Sequence, residues 1–200
     1  MKEVLNYYKW HIIFLLLFVV CILTFTITSC TKTEPDLVIN CISSEYINVQ
    51  SFDDRKSSLE ALLHDADNDG DKNIQLANYT YDTQADLDEV MKLLATPADS
   101  DIIIANKETL ENFESKDLFD SLDRIIGDIN SDKYETLTDS SGKIYAVSLE
   151  GNDFIKDMGF FDPSKLYIAV LAENKENSEI STDKKNARNI TLAIVKEYNI

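Results

Sequence analysis

The sequence predicts an α/β fold: a mostly parallel sheet flanked by helices, following an N-terminal membrane anchor. Three short apolar runs rich in branched residues predict buried strands, and each is followed by an amphipathic segment with a helix-capping signal. Strand followed by helix, three times in succession, indicates crossover connections that place the strands parallel in one sheet. The 200 residues of the chain are enough for one domain of this kind.

The first thirty residues are interpreted as the anchor. Residues 12–29, IIFLLLFVVCILTFTITS, carry no charge and follow a segment that contains Lys2 and Lys9. A charged start, an apolar core and small residues are the order of a secretory signal, and they also suit a spanning helix. Both interpretations predict an extracellular location for the remainder, with residues 31–35 as a tether and residues 36–200 as the folded domain.

The residues ITSC, which end at Cys30, resemble the lipobox of bacterial lipoproteins. The resemblance implies that the Cys30 thiol receives a diacylglyceryl group and that cleavage leaves this cysteine as the new N-terminus. The alternative is an uncleaved signal anchor, although the apolar run is near the short end of the ~20 residues that a span needs. We therefore expect the protein on a membrane, held by a lipid or by a helix.

The first predicted strand and helix follow the tether. DLVINCIS, residues 36–43, is nearly continuous in apolar and branched residues, as expected for a strand buried on both faces. In SFDDRKSSLEALLH, residues 51–64, Ser51 and Asp54 have the spacing of a capping box. The apolar residues of this predicted helix share one face: Phe52, Leu59, Leu62 and Leu63.

Two more pairs of strand and helix complete the predicted core. NIQLANYTYD, residues 73–82, predicts the second strand, and Thr83 with Asp86 forms a capping box for a helix that Pro97 ends. DIIIAN, residues 101–106, predicts the third strand, and Asn106 can serve as N-cap of the helix that begins with KETLENF.

The pattern is weaker beyond Leu118. GDINSDKYETLTDSSG and GNDFIKDMGFFDPS predict loops, whereas KIYAVSLE, residues 143–150, and KLYIAVLA, residues 165–172, predict strands. A final helix has apolar residues on one side: Ala187, Ile190, Ile194, Val195 and Tyr198.

Charge and motifs exclude several classes of function. The net charge of −17 disfavours binding to nucleic acid and to anionic lipid headgroups. Three cysteines provide no disulfide framework, and Cys41 within an apolar run indicates a core residue. Neither histidine has a partner motif, and the sequence has no GxSxG or glycine-rich phosphate loop. We expect a protein that is not an enzyme.

The stretch DADNDGDKN, residues 65–73, resembles the first half of a calcium loop because carboxylates alternate before Gly70. Leu76 occupies position 12, however, where a bidentate glutamate is required. The pattern therefore favours a turn in which aspartates cap the backbone and Gly70 adopts a positive φ. We expect no cofactor, and the alternative is a calcium site with the ligands Asp65, Asp67, Asp69 and Asp71.

Residues 36–172 resemble the N-terminal lobe of extracellular solute-binding proteins, the lipid-tethered receptors of ABC importers. The segments that carry the resemblance are DLVINCISSEY, the strand after DNDGDKN, LDEVMKLLATPADSDIIIANKETLENFESKDLFDSLD and GKIYAVSLEGN. Short membrane-anchored relatives from Firmicutes are similar in pattern. The resemblance implies a lobe like that of type 2 periplasmic binding proteins, in a reduced receptor or an accessory of an importer. Two-lobed members usually need a much longer exterior chain, so the second lobe is expected to be missing or reduced to a hairpin.

A parallel sheet with strand order 2-1-3 binds ligands beyond the carboxyl ends of strands 1 and 3. This rule predicts a site for a small polar ligand at Ser43, Ser44, Glu45, Tyr46, Asn106 and Lys107. The alternative is that these are ordinary loop and capping residues, and that the lobe is a protein interaction module beside a membrane partner. Nucleic acid is not an expected partner.

Overall fold

The computed structural model describes residues 8, 11, 13–22, 35–43, 49–94, 102–114, 118–127, 134–157, 165–172 and 181–196. The chain divides into two compact units, residues 1–34 and residues 35–200. In the first unit, residues 13–22 form helix α1, and every side chain of that segment is exposed. Among the described residues, no helix combines the length and the apolar character needed to cross a membrane. The predicted lipid site at Cys30 and most of the predicted tether lie outside the described residues.

The second unit contains a six-stranded sheet and helices. Its strands are β1 Leu37–Ser43, β2 Ile74–Thr80, β3 Ile102–Asn106, β4 Thr136–Thr138, β5 Ile144–Ser148 and β6 Leu166–Val170. Its helices are α2 Val49–Glu60, α3 Gln84–Leu94, α4 Lys107–Glu114, α5 Asp123–Ile126, α6 Asp153–Asp157 and α7 Thr182–Lys196.

The sheet has the strand order β2-β1-β3-β6-β5-β4. The pairs β1–β2 and β1–β3 are parallel, which confirms the predicted order 2-1-3. The pairs β3–β6, β6–β5 and β5–β4 are antiparallel, so the sheet as a whole is mixed and only its β2-β1-β3 part is parallel. Two successive antiparallel pairings make β5 parallel to β3, and the carboxyl ends of β1, β3 and β5 therefore meet at one edge.

Helices cover both faces of this sheet, and successive strand residues point to opposite faces. On one face, Ile102 and Ile104 of β3 pack in a buried cluster with residues of α2, α5 and α7. On the other face, Ile103 and Ala105 pack in a second cluster with residues of α3 and α4. The near-continuous apolar runs of the central strands follow from this burial on two sides.

Two predicted helix starts are confirmed. At α3, the Asp86 carboxylate accepts a hydrogen bond from the Thr83 backbone N–H at 2.9 Å, and the Thr83 hydroxyl accepts one from the Asp86 N–H at 3.3 Å. The hydrogen bonds from Thr83 hold the pKa of Asp86 below its usual range. At α4, Asn106 Oδ1 accepts a hydrogen bond from the Thr109 N–H at 2.8 Å, as an N-cap does.

Other local predictions were wrong. Helix α2 begins at Val49, so Ser51 lies inside the helix and does not cap it. Leu62 is 40% exposed because α2 has already ended at Glu60, whereas Phe52, Leu59 and Leu63 are buried as predicted. The two predicted loops contain the short elements β4 and α6. Tyr198 and the predicted stop at Pro97 lie outside the described residues.

The turn between β4 and β5 is built on one carboxylate. Asp139 Oδ1 accepts hydrogen bonds from the Ser141 N–H, the Ser141 hydroxyl and the Lys143 N–H, at 2.8, 2.7 and 2.9 Å. Gly142 has a φ of 83°, a conformation that glycine adopts without steric cost. These bonds, that of the Ser141 side chain first, hold the pKa of Asp139 below its usual range.

Candidate functional site

Two of the predicted ligand residues lie side by side at the carboxyl edge of the sheet. Ile42 of β1 is the register partner of Ala105 of β3, so the residues that follow them, Ser43 and Asn106, end neighbouring parallel strands. Ser43 is half-buried, and it pairs on its other side with Thr80 of β2. The predicted site residues Ser44, Glu45 and Tyr46 lie outside the described residues.

The Asn106 side chain is committed to the fold. Its Oδ1 caps α4 through Thr109, and its Nδ2 donates a hydrogen bond to the Tyr81 hydroxyl at 3.0 Å. That hydroxyl also lies 3.1 Å from the Thr109 Oγ1. Both ends of the Asn106 amide are therefore used in tying β2, β3 and α4 together, as the alternative interpretation of a capping residue expects.

Lys107, the remaining predicted site residue, is exposed at the start of α4. Its Nζ lies 4.0 Å from a carboxylate oxygen of Glu111, one helical turn further on. An exposed pair at this spacing contributes only a few tenths of a kcal/mol, roughly 0.3–0.5. The Lys107 ammonium therefore remains accessible to a ligand at this edge.

In the aspartate-rich loop, residues 65–73, the carboxylates accept hydrogen bonds from backbone N–H groups of the same loop. Asp65 accepts a hydrogen bond from the Gly70 N–H at 3.1 Å, Asp67 from the Asp69 N–H at 3.1 Å, and Asp69 from the Asp71 N–H at 2.8 Å. Gly70 has a φ of 93°, so the predicted positive φ is confirmed. These hydrogen bonds form the predicted turn, in which aspartates cap the backbone.

Asp36, which no sequence motif marks as a site residue, organises this loop from the position before β1. Asp36 is 2% exposed, and its two carboxylate oxygens accept hydrogen bonds from the backbone N–H groups of Ala66 and Asn73. Oxygens of Asp36, Asp65 and Asp67 all lie within 4.8 Å of one another. Because the donor N–H groups lie 30 and 37 residues from Asp36, no local sequence pattern indicates the contact.

Asp36, Asp65 and Asp67 can each offer one carboxylate oxygen to a cation. This set contains Asp36, which was not among the predicted calcium ligands. Calcium takes roughly 6–8 oxygen ligands, and within the described part of the chain Asp69 and Asp71 are not members of the cluster. The hydrogen bond from the Asp69 N–H lowers the pKa of Asp67, but loss of hydration and the charges of Asp69 and Asp36 outweigh it and raise that pKa. Within the described residues, the arrangement concentrates negative charge and brings three carboxylate oxygens together.

A polar cavity of about 140 Å³ lies where β5 ends. Its lining comes from the segment before β4, the end of β5, the turn that follows β5 and the last residues of α7: Tyr134, Ser148, Glu150, Gly151, Asn152, Val195 and Lys196. The cavity shares its edge of the sheet with Ser43 and Asn106, because β5 runs parallel to β3. The signal that could have found it is the polar segment LEGN after a buried strand, but the sequence does not reveal the direction of β5.

The carboxylates of Glu111, Glu135 and Glu150 act on the Tyr167 hydroxyl at this part of the edge. Burial raises the pKa of the Tyr167 hydroxyl to about 12, together with the hydrogen bond to Glu135 and the charges of Glu135, Glu150 and Glu111. Tyr167 is the register partner of Ser148, which lines the cavity. A cationic group therefore meets favourable electrostatics on approaching this edge.

The far end of α7 is fixed by a buried ion cluster. Lys184 Nζ lies 3.0 Å and Arg188 Nη2 lies 3.1 Å from the same oxygen of Asp120, with Lys184 only 5% exposed. Burial would raise the pKa of Asp120, but the hydrogen bond and charge of Lys184, together with Arg188, hold it below its usual range. The cluster locks α7 against residues 118–122, and so positions the cavity-lining end of that helix.

Comparisons with protein-family models, with curated proteins and with solved structures find no match for this chain.

Proposed function

We propose that the chain is a membrane-anchored extracellular binding protein, without enzymatic activity, that captures a small polar ligand at the carboxyl edge of its sheet. Its lobe is proposed to be of the type 2 periplasmic-binding-protein kind, and the protein to be a reduced receptor or an accessory of an ABC importer. The observation that carries the proposal is the polar cavity at the same edge as the ends of the parallel strands β1 and β3. Ligands of open α/β sheets bind at such an edge.

Anchorage is proposed through Cys30 lipid or through the apolar segment around α1. The described part of that segment offers a continuous apolar surface, with Phe14 71% and Phe18 64% exposed. Apolar surface of this extent suits contact with lipid or with another protein. The acidic domain, by contrast, is proposed to avoid nucleic acid and anionic headgroups, since the chain carries a net charge of −17.

A thermal-shift screen of the full-length protein against sugars, amino acids and short peptides tests the proposal. A ligand that binds only the folded state stabilises it by about 2.7 kcal/mol at one hundred times its Kd, which is a readily measured shift. We expect a saturable shift for one class of small polar ligand, reduced in Glu150→Gln and retained in the matched surface control Glu89→Gln. No shift with any class would refute ligand capture.

The second candidate function is a protein interaction module at the cell surface. It is favoured by the acidic surface and by the engagement of Asn106 in purely structural bonds. Cross-linking of the membrane-bound protein in its native membrane distinguishes the two. A single specific product that charge-neutral variants of the acidic surface abolish, together with a silent ligand screen, would replace the first proposal by the second.

A further inference from the structure

The cavity at the end of β5 carries two opposite charges that do not neutralise one another. Glu150 and Lys196 both line it and both are exposed. Among the described residues, Glu150 and Lys196 do not form an ion pair within 4.0 Å. Lys196 Nζ donates one hydrogen bond, to the Ile126 carbonyl at 3.0 Å, and an ammonium has two further N–H groups to offer.

The remaining walls of the cavity are held in place by hydrogen bonds. Asn152 is buried, donates to the Ile194 carbonyl at 2.7 Å and accepts from the Ile155 N–H at 2.9 Å. The Tyr134 hydroxyl donates to the Val195 carbonyl at 3.3 Å, and the Ser148 Oγ accepts from the Glu150 N–H at 3.2 Å. A cavity framed in this way keeps its shape before a ligand arrives, which lowers the cost of binding.

Charge and size together select a class of ligand. The last carbonyls of α7 carry the partial negative charge of a helix C-terminus, which adds to Glu150 in attracting an ammonium group. Lys196 offers a carboxylate the N–H groups that, among the described residues, are not used in its bond to Ile126. A cavity of roughly 150 Å³ holds benzene in another protein, so the space here, about 140 Å³, has room for about six non-hydrogen atoms.

We infer that this cavity binds a small α-amino acid as its zwitterion, with the ligand ammonium at Glu150 and its carboxylate at Lys196. The inference rests on the proposed function and names the ligand class and the two charged residues. A neutral polyol leaves both charges without an oppositely charged partner, and a simple anion can pair with Lys196 but is opposed by Glu150. A zwitterion satisfies both charges at once.

Isothermal titration of the full-length protein with L-alanine, glycine and L-serine tests the inference. We expect saturable binding of these amino acids, and none of N-acetyl-L-alanine, which lacks the ammonium, or of L-alaninamide, which lacks the carboxylate. Glu150→Gln keeps an acceptor oxygen but removes the negative charge that faces the ligand ammonium, so binding should weaken about tenfold. Glu150 is exposed, so this variant keeps the fold, and circular dichroism verifies it.

Lys196→Met provides the complementary variant, with Lys165→Met as a matched control on another exposed lysine. Equal binding of L-alanine and N-acetyl-L-alanine, or unchanged binding in Glu150→Gln, would overturn the inference. If a sugar or a peptide binds while amino acids do not, the inference fails and the proposed function stands. If no small polar ligand of any class binds, both fail.

Discussion

Replacing Asp120 by asparagine tests whether the buried ion cluster stabilises the fold. The substitution keeps the shape of the side chain but removes the only carboxylate in contact with both Lys184 and Arg188 among the described residues. Two cations then remain in a site where Lys184 is 5% exposed and Asp120 is 12% exposed. Removing one partner of a buried ion pair leaves an uncompensated charge, which is the costly event.

The expected loss in the free energy of unfolding at pH 7 is about 3 kcal/mol. Breaking a buried pair costs roughly 3–5 kcal/mol, and the lower end applies because Arg188 is 25% exposed and water screens part of its charge. With a urea m-value of about 2 kcal/mol/M, the unfolding midpoint falls by about 1.5 M. Urea titration followed by circular dichroism measures this shift.

The loss should also depend on pH. The pKa of Asp120 in the folded protein is held below its ordinary value, so its charged form adds stability above the unfolded pKa of about 3.9. That stability is lost as the pH falls through the folded pKa, where the wild-type carboxylate takes up a proton. The difference between the wild-type protein and Asp120→Asn should therefore shrink in acid.

Lys184→Met is the matched control. It removes the surplus cation, leaves the pair of Asp120 and Arg188, and fills the space with an apolar chain, so the expected loss is below about 1.5 kcal/mol. Equal losses for the two variants would refute the reasoning. So would a loss below about 1 kcal/mol for Asp120→Asn, since that is the range of an exposed pair.

Further predictions concern single residues. Asn106→Ala should lower the free energy of unfolding by about 1–2 kcal/mol because the helix cap is lost. Asn106→Asp should lower it by less, because an acceptor oxygen remains. Urea titration measures both losses, and a larger loss for Asn106→Asp would contradict the capping role. Cys41 is fully buried and burial raises the pKa of its thiol, so an aromatic disulfide reagent should modify it only after unfolding, which fast labelling in the native state would disprove. Millimolar Ca²⁺ should leave the melting temperature unchanged, and a shift that Asp67→Ala abolishes would reverse that view. Cys30→Ala should abolish incorporation of labelled lipid, whereas an unchanged mass and label would leave a membrane helix as the anchor.

Local signals in the sequence were enough for the parallel core and two of its caps. Both caps depend on residues three positions apart, so they are visible in the sequence: Thr83 with Asp86, and Asn106 with Thr109. The buried runs of β1 and β3 similarly show their burial in their own composition.

What the sequence did not reveal depends on contacts between distant residues. Asp36 meets backbone groups 30 and 37 positions away, and Asn186 Nδ2 donates to the Asp36 carbonyl from 150 positions away. Strand β4 has three residues and one buried side chain, Leu137, too little for a recognisable alternation. The sequence did not indicate the cavity, because the direction of β5 relative to β3 depends on the pairing of both strands with β6.

The position of β6 has a consequence for biosynthesis. Among the described strands β6 is made last, yet it lies between β3 and β5. At a synthesis rate of about 5–20 residues per second, the ribosome needs about 3–12 seconds to proceed from Asn106 to Leu166. During this interval the nascent chain presents an unpaired edge on β3 and a separate β4–β5 hairpin, both of which invite pairing with other chains. The sheet is therefore completed late. In a nascent chain that stops before Leu166, the edges of β3 and β5 that β6 would cover stay open, and molecular chaperones are suited to shield them.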